Sequence, residues 1–236
     1  MKIIILGDIH GRKCWKDILD NEQYDLVVFL GDYVSTHQDI SEEAQIENLK
    51  DILEFKENNP NKVILLRGNH DLQHMGYDWA QCSGYFRDVG RWFYSKENKD
   101  RFLNDTQWIY LYKPSNILFS HAGISKTWLQ RTEGLLQDIN KLEPSELFGF
   151  FAGKDNPYDC YGQSIYQPCT WIRPSTLMGD LYWPKRYTQV VGHTTFKQII
   201  HWKESDKNVY FCDCDLREYL VFKDGEFEIK KVPTIK

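Results

Sequence analysis

Five short polar clusters in this chain carry residue types that bind metal ions: Asp8-Ile9-His10, Asp32, Asn69-His70-Asp71, His121 and His193. Oxygen and imidazole donors in this mixture suit manganese, iron or zinc rather than calcium. Asp8 and His10 are two residues apart, so one loop can aim both at a single cation. A second cation needs a shared ligand to sit roughly 3.5–4 Å from the first. Asp32 is the candidate for that bridging carboxylate, and Asn69, His121 and His193 could complete the second ion. Water on such a cation is far more acidic than bulk water, so the chemistry open to the cluster is hydrolysis. Any one of these motifs alone is commonly a turn. An ordered set of five, each after a strand-like run, is much harder to read that way.

Short apolar runs precede each cluster and must position it. Lys2 to Leu6 ends at Gly7, Leu26 to Leu30 at Gly31, and Val63 to Leu66 at Gly68 through Arg67. Ile117 to Phe119 leads to Ser120-His121, and Gln189 to Val191 leads to Gly192-His193. Continuous apolar runs of this length suit strands buried on both faces. Helical patterns alternate with them. Cys14 to Leu19 is short; Asp39 to Asn58 is longer, with Ile46, Leu49, Ile52 and Leu53 on one face. Asp39 and Glu42 have capping-box spacing. Strand, helix, strand order predicts right-handed parallel crossovers, with ligands gathered at the carboxyl ends of the strands. After His193 the pattern turns to strands at Ile199 to Lys203, Asn208 to Cys212, Glu218 to Phe222 and Glu226 to Val232, with an Asp224-Gly225 hairpin signal. This predicts a second, partly antiparallel sheet packed on the first. The whole chain, 1–236, is read as one α/β domain with aromatic-rich insertions near 76–94 and 148–187. Aromatics at that density are read as packing rather than as a ligand box.

The ordered motifs Gly7-Asp8-Ile9-His10-Gly11, Gly31-Asp32-Tyr33-Val34, Arg67-Gly68-Asn69-His70-Asp71, Ser120-His121-Ala122-Gly123 and Gly192-His193-Thr194 resemble the calcineurin-like metallophosphoesterase superfamily. Within it they are most similar to the phosphoprotein phosphatase and diadenosine tetraphosphatase branch. The resemblance implies a four-layer α/β/β/α sandwich of two mixed sheets around a dinuclear site. It assigns Asp8, His10 and Asp32 to the first metal, and Asp32, Asn69, His121 and His193 to the second. It makes His70 the general acid for the leaving-group oxygen. Branches that cleave phosphodiesters carry a second histidine where this chain has Thr195, which favours the phosphatase branch. The expected reaction is hydrolysis of a phosphomonoester by in-line attack of a metal-bridging hydroxide. Phosphoserine or phosphothreonine is the expected substrate, and a nucleotide phosphoanhydride of diadenosine tetraphosphate type the alternative.

The match breaks at Ser35 and Thr36. The family places there an aspartate that orients the catalytic histidine and an arginine that binds phosphate. His70 therefore needs another orienter and phosphate another cation. His37 could stand in for one of them, though a solvated loop histidine is the simpler reading. Arg173 is the favoured phosphate clamp, because it lies where relatives place a second arginine and guanidinium matches phosphate bidentately. Arg67 and Asn69 are further candidates for substrate contact. His74 is read as a supporting or surface residue, and Asp213 as support for the His193 loop.

Composition bounds the rest. A net charge of -5 argues against a general nucleic-acid binder. No apolar run is long enough to span a membrane, and Met1 to Leu6 is too short for a signal-peptide core. The six cysteines, including the Cys212-x-Cys214 pair, are read as free thiols in reducing surroundings. The expectation is a cytoplasmic monomer acting on a phosphorylated protein or small molecule. Two metal ions are expected, manganese in vitro, with iron or zinc as alternatives.

Overall fold

Strands apolar on both faces fold only where both faces can be covered. The computed structural model describes residues 1–36, 38–132, 136–151 and 161–233. In chain order the strands are β1 (Lys2–Leu6), β2 (Leu26–Phe29), β3 (Val63–Leu66), β4 (Ala80–Gln81), β5 (Thr106–Gln107), β6 (Ile109–Tyr112), β7 (Ile117–Ser120), β8 (Phe150–Phe151), β9 (Thr188–Val191), β10 (Ile200–Glu204), β11 (Lys207–Phe211), β12 (Glu218–Lys223) and β13 (Glu226–Lys231). The helices are α1 (Cys14–Asp20), α2 (Glu42–Asn58), α3 (Asn69–Gln73), α4 (Arg87–Tyr94), α5 (Lys96–Asp105), α6 (Lys126–Arg131) and α7 (Pro174–Gly179).

The first sheet runs β13-β12-β1-β2-β3-β5, and the second β10-β11-β9-β7-β6. Strands β1, β2, β3 and β5 are parallel, as the crossover pattern predicts. The strands after His193 divide between the sheets, which corrects the expectation that all four build the second one. β10 and β11 join it, whereas β12 returns to pair antiparallel with β1 and carries β13 with it. The reason lies in β12 itself. Tyr219 and Val221 face the helices while Leu220 and Phe222 face the other sheet, so the strand needs cover on both sides.

Alternation along each strand builds four layers. Ile3, Ile5, Val28 and Leu220 of the first sheet meet Phe119 and Val190 of the second. The opposite face of the first sheet, through Ile4, Leu6, Val27 and Phe29, packs on Ile18 of α1 and on Leu49, Ile52 and Leu53 of α2. Val191, Val209 and Phe211 of the second sheet lie under Leu177 and Met178 of α7. The fold is therefore an α/β/β/α sandwich. All five polar clusters sit at the carboxyl ends of β1, β2, β3, β7 and β9.

The two aromatic insertions meet through a small parallel pair, β4 with β8. Most of their rings pack. Phe93 is buried, Tyr77 stacks on Trp79 at 4.5 Å, and Phe148 stacks on Trp108 at 3.6 Å. Tyr85 and Tyr94 of the first insertion, and Tyr161, Tyr166 and Trp183 of the second, are the exceptions and remain exposed. Residues 152–160 of the second insertion lie outside the described residues, as does Cys160.

The expected Asp39–Glu42 capping box does not form. Ser41 directly precedes the first helical residue of α2, and its hydroxyl accepts from the Ala44 amide at 3.2 Å. Glu42 turns away instead and accepts from the Asp88 and Val89 amides at 2.6 and 3.3 Å, which caps α4. Ser41→Ala is expected to lower stability by about 1 kcal/mol in urea denaturation, and Asp39→Ala by far less.

Candidate metal centre

Three of the candidate ligands sit at strand ends in the left-handed backbone region: His10 (φ 45°), Asp32 (φ 51°) and His193 (φ 67°). A non-glycine residue there persists only when its surroundings hold it. The Asp32 carbonyl accepts from the Ile9 and His10 amides at 3.0 and 2.7 Å. The buried Asp71 carboxylate accepts from the amides of Asp32, Tyr33 and Gly68 at 3.0, 2.9 and 2.9 Å. Two glycines make room for the acids. A Cβ on Gly68 would stand 2.1 Å from Asp32 Oδ1, and one on Gly192 would stand 2.1 Å from Asp8 Oδ1.

These loops bring the candidate ligands into two adjoining groups. Asp8, His10 and Asp32 form one; Asp32, His121 and His193 form the other, and in each the donor atoms lie within 4.8 Å of one another. Asp32 Oδ2 is common to both, at 3.9 Å from His10 Nε2 and 3.3 Å from His121 Nε2. The other Asp32 oxygen accepts from the His70 amide at 2.8 Å. Asn69 Oδ1 joins the second group, 3.0 Å from His121 Nε2 and 2.8 Å from His193 Nδ1. Each histidine is tied down from behind by a backbone carbonyl. His10 Nδ1 donates to Val34 at 2.8 Å, His121 Nδ1 to Leu30 at 2.7 Å, and His193 Nε2 to Trp171 at 3.1 Å. That leaves one nitrogen of each ring facing the cluster, which is how metal-binding histidines are oriented. The donor set and its supporting bonds thus fit two cations held by nitrogen and oxygen.

Charge in the cluster points the same way. Burial and then the neighbouring Asp213 push the Asp8 carboxyl well above its usual range. Burial opposes charge on His121, but Asp32 beside it outweighs this and raises the imidazole to about 10. Asp32 in turn is held ionised against burial, chiefly by His121. Without a cation, a proton on His121 supplies the positive charge that these acids require. Burial, followed by the Arg173 charge, keeps His193 neutral.

His70 follows Asn69 on α3, and its ring lies edge-on to His10 with centroids 5.3 Å apart. Burial lowers it to about 3. His74 is buried: its Nδ1 donates to the His70 carbonyl at 2.6 Å, and its Nε2 accepts from the Phe86 amide at 2.9 Å. Ser35 and Thr36 are buried too, and both amides reach Gln45 Oε1 of α2, at 2.8 and 3.3 Å. Arg173 reaches the rim of the cluster, with Nη1 3.2 Å from Thr194 Oγ1. Asp213 binds the loop after His193, accepting from the Thr195 hydroxyl and, through its carbonyl, from the Phe196 amide at 2.9 Å. His37 lies outside the described residues.

Arg67 requires a correction. Its guanidinium donates to Thr106 Oγ1 at 3.0 Å and to the carbonyls of Leu103 and Thr106 at 2.7 and 2.9 Å, and it lies over the Trp108 ring at 4.5 Å. These contacts anchor α5 and β5 to β3, so the side chain is turned from the cluster and not toward substrate. Two residues near the cluster escaped the sequence reading. Asp71 stood in a recognised motif, but nothing in the motif says that it binds three amides. Gln73 lies three residues after His70 on one helix, a spacing that places both side chains on one face.

A four-layer sandwich whose strand ends gather two adjoining groups of acid and imidazole, sharing one carboxylate oxygen, defines a metal-dependent hydrolase. The chain belongs to the calcineurin-like phosphoesterase family, whose model matches residues 1–216, and is a metal-dependent phosphoester hydrolase. No curated protein matches it in sequence. Among solved structures it is similar to a cold-active protein-tyrosine phosphatase of a psychrophilic Shewanella species, at 20% identity and TM-score 0.64 over 98% of this chain and 80% of that one. It is also similar to a Saccharomyces cerevisiae protein serine/threonine phosphatase with similarity to human phosphatase PP5, at 14% identity and TM-score 0.64 over 100% and 81%. A metallophosphoesterase from Sphaerobacter thermophilus matches at 14% identity and TM-score 0.52 over 99% and 89%. At these identities the likeness is one of fold.

A cation that binds His121 must displace its proton. Because that imidazole is raised to about 10, and the Asp8 carboxyl is raised as well, metal affinity is expected to climb with pH, by at least about tenfold per unit between pH 6 and 8. Calorimetry in buffers of different ionisation enthalpy should show at least about one proton released per protein; a pH-independent affinity would contradict the charge assignment. Arg67→Met leaves buried carbonyls without donors. It should cost about 1–3 kcal/mol in urea denaturation and leave KM for any substrate unchanged.

Proposed function

We propose that this chain hydrolyses phosphomonoesters, passing the phosphoryl group to water in one in-line displacement without a phosphoenzyme. The observation that carries the reading is the sharing of Asp32 Oδ2 between the two groups of donors. Asp8, His10 and Asp32 would hold one cation; Asp32, Asn69, His121 and His193 would hold the other. When bound, the pair would acidify the attacking water and offset charge on the phosphoryl oxygens. Manganese suits the mixed nitrogen and oxygen donors, as do iron and zinc.

The remaining work falls to the chain's own residues. His70 stands beside His10 with Nδ1 occupied, which leaves Nε2 to protonate or hydrogen-bond the leaving oxygen. Arg173 at the rim, close enough for its charge to depress His193, can take the phosphate oxygens that Thr36 does not. Thr195 bonds Asp213 rather than facing the cluster, consistent with the phosphatase branch. Phosphoserine or phosphothreonine is the narrower reading, supported by the motifs and by the name of the yeast neighbour. A nucleotide phosphoanhydride is the second reading. It is favoured by a cleft of about 390 Å³ where Gln73 and Cys82 meet the exposed rings of Tyr85 and Tyr94, faces on which a base could stack. No helix among the described residues is long and apolar enough to cross a membrane. Cys14, Cys82, Cys169, Cys212 and Cys214 are free, which supports a reducing location such as the cytoplasm.

Manganese-loaded protein is expected to release phosphate from an aryl phosphate and from a phosphoserine peptide, and chelation should abolish this. His70→Asn should lower kcat on the peptide by roughly 10²–10⁴-fold and leave metal content intact. Faster cleavage of diadenosine tetraphosphate than of the peptide would favour the second reading. A protein carrying both metals that hydrolysed none of the three would overturn the first.

A further inference from the structure

His70 and Gln73 project from one face of α3, and Gln73 is buried. The Gln73 side-chain nitrogen lies 2.9 Å from His70 Nδ1, 3.2 Å from the Ser83 carbonyl and 3.3 Å from the Gly84 carbonyl. A primary amide has two N–H donors on one end and only acceptors on the other. The partners decide which end points here. Two carbonyl oxygens can be met only by N–H, and the reversed amide would set oxygen against both. With the nitrogen end here, its two N–H groups are shared among three acceptors, and because an amide nitrogen cannot itself accept, the 2.9 Å contact is a donation to His70 Nδ1, which must accept. In a neutral imidazole with Nδ1 accepting, the proton sits on Nε2. The other groups near Nδ1 are weaker partners. Cys82 Sγ is 4.0 Å away, and Ser35 Oγ is 3.5 Å from the amide nitrogen rather than bonded to the ring. The carbonyl of His70 is fixed from the other side by His74.

We infer that Gln73 is the positioning residue for His70: by donating to Nδ1 it orients the ring and keeps the N–H on Nε2, toward the oxygen of the departing group. The inference rests on the phosphomonoesterase reading for its consequence, though not for its geometry. In place of a carboxylate that accepts from Nδ1, this chain uses an amide that donates to it. The ring therefore meets the leaving oxygen as a hydrogen-bond donor from a single N–H. Its help is worth most when that oxygen is a poor leaving group.

Histidine ¹⁵N spectra of the metal-free and zinc-loaded protein read the ring directly. The expected result is the Nε2–H form of His70 in both, and the Nδ1–H form in Gln73→Glu, where the side chain accepts. Gln73→Met should lower kcat by roughly ten- to a hundredfold with KM nearly unchanged, more for an alkyl phosphate than for an aryl phosphate. The same substitution in a His70→Asn background should cost nothing, because Gln73 acts only through that ring. Wild-type His70 protonated on Nδ1 would overturn the inference, as would a Gln73→Met penalty of equal size with and without His70. Should Gln73→Met fail to fold, the wild-type and Gln73→Glu spectra decide alone. If the metal-loaded wild type hydrolyses no phosphoester, the phosphatase reading falls while the spectra still answer for Gln73.

Discussion

Everything at the strand ends depends on how the Asp32 carboxylate is held. Its residue sits in a backbone region that aspartate tolerates but does not favour. One oxygen accepts from the His70 amide, and the other faces both donor groups. The buried Asp71 carboxylate secures this by gripping the amides of Asp32, Tyr33 and Gly68. Burial, and then the Asp32 charge, raise Asp71 to about 8, whereas the Gly68 and Tyr33 amide bonds act in the opposite sense. Two acids this close tolerate each other only where many donors, and cations when bound, surround them. The glycines follow from the same constraint, since any side chain at Gly68 would strike Asp32 Oδ1.

That crowding of acids explains why the histidines are anchored from behind. Asp8, Asp32, Asp71 and Asp213 are all buried near one another. A ring free to rotate would satisfy itself against the nearest carboxylate. Carbonyls of Val34, Leu30 and Trp171 prevent this by taking one nitrogen of each ring. Trp171, whose carbonyl accepts from His193 Nε2, also ties the second insertion to the cluster. Its indole stacks on Phe150 of β8 at 4.8 Å, and β8 pairs with β4 of the first insertion. The insertions that read as packing in the sequence thus form the wall on which His193 is set.

How much of this could be read from the sequence follows from the range of each interaction. The strands were legible because Ile3 to Leu6 or Val63 to Leu66 carry their own pattern, and their glycine-bounded ends marked the candidate ligands. The assignment of β12 and β13 to the first sheet was not legible, because it depends on which edge offers cover to both faces of Glu218–Lys223. The cap of α2 was misplaced because Asp39 and Glu42 have the right spacing, while the nearer Ser41 has the right geometry. Arg67 misled for a similar reason. Adjacent to a metal motif in sequence, it leaves β3 on the side of Thr106 and Leu103, and strand alternation sent it there.

The break at Ser35 and Thr36 shows how a site can keep its parts and change their wiring. The Ser35 hydroxyl lies 3.5 Å from the Gln73 side-chain nitrogen, and the Ser35 amide, with that of Thr36, is fastened to Gln45 of α2. These bonds tether the described part of the loop to the helix layer. On the proposed reading its two lost tasks pass to different elements, with Gln73 on α3 orienting the histidine and Arg173 before α7 meeting the phosphate. The transfer alters the electrostatics more than the geometry. A carboxylate beside His70 would have been a further buried acid next to Asp32; a neutral amide is not. Since the cluster already confines Asp8, Asp32, Asp71 and Asp213, exchanging an acid for an amide at its edge lowers the charge that the cations must balance, at the cost of a weaker proton donor.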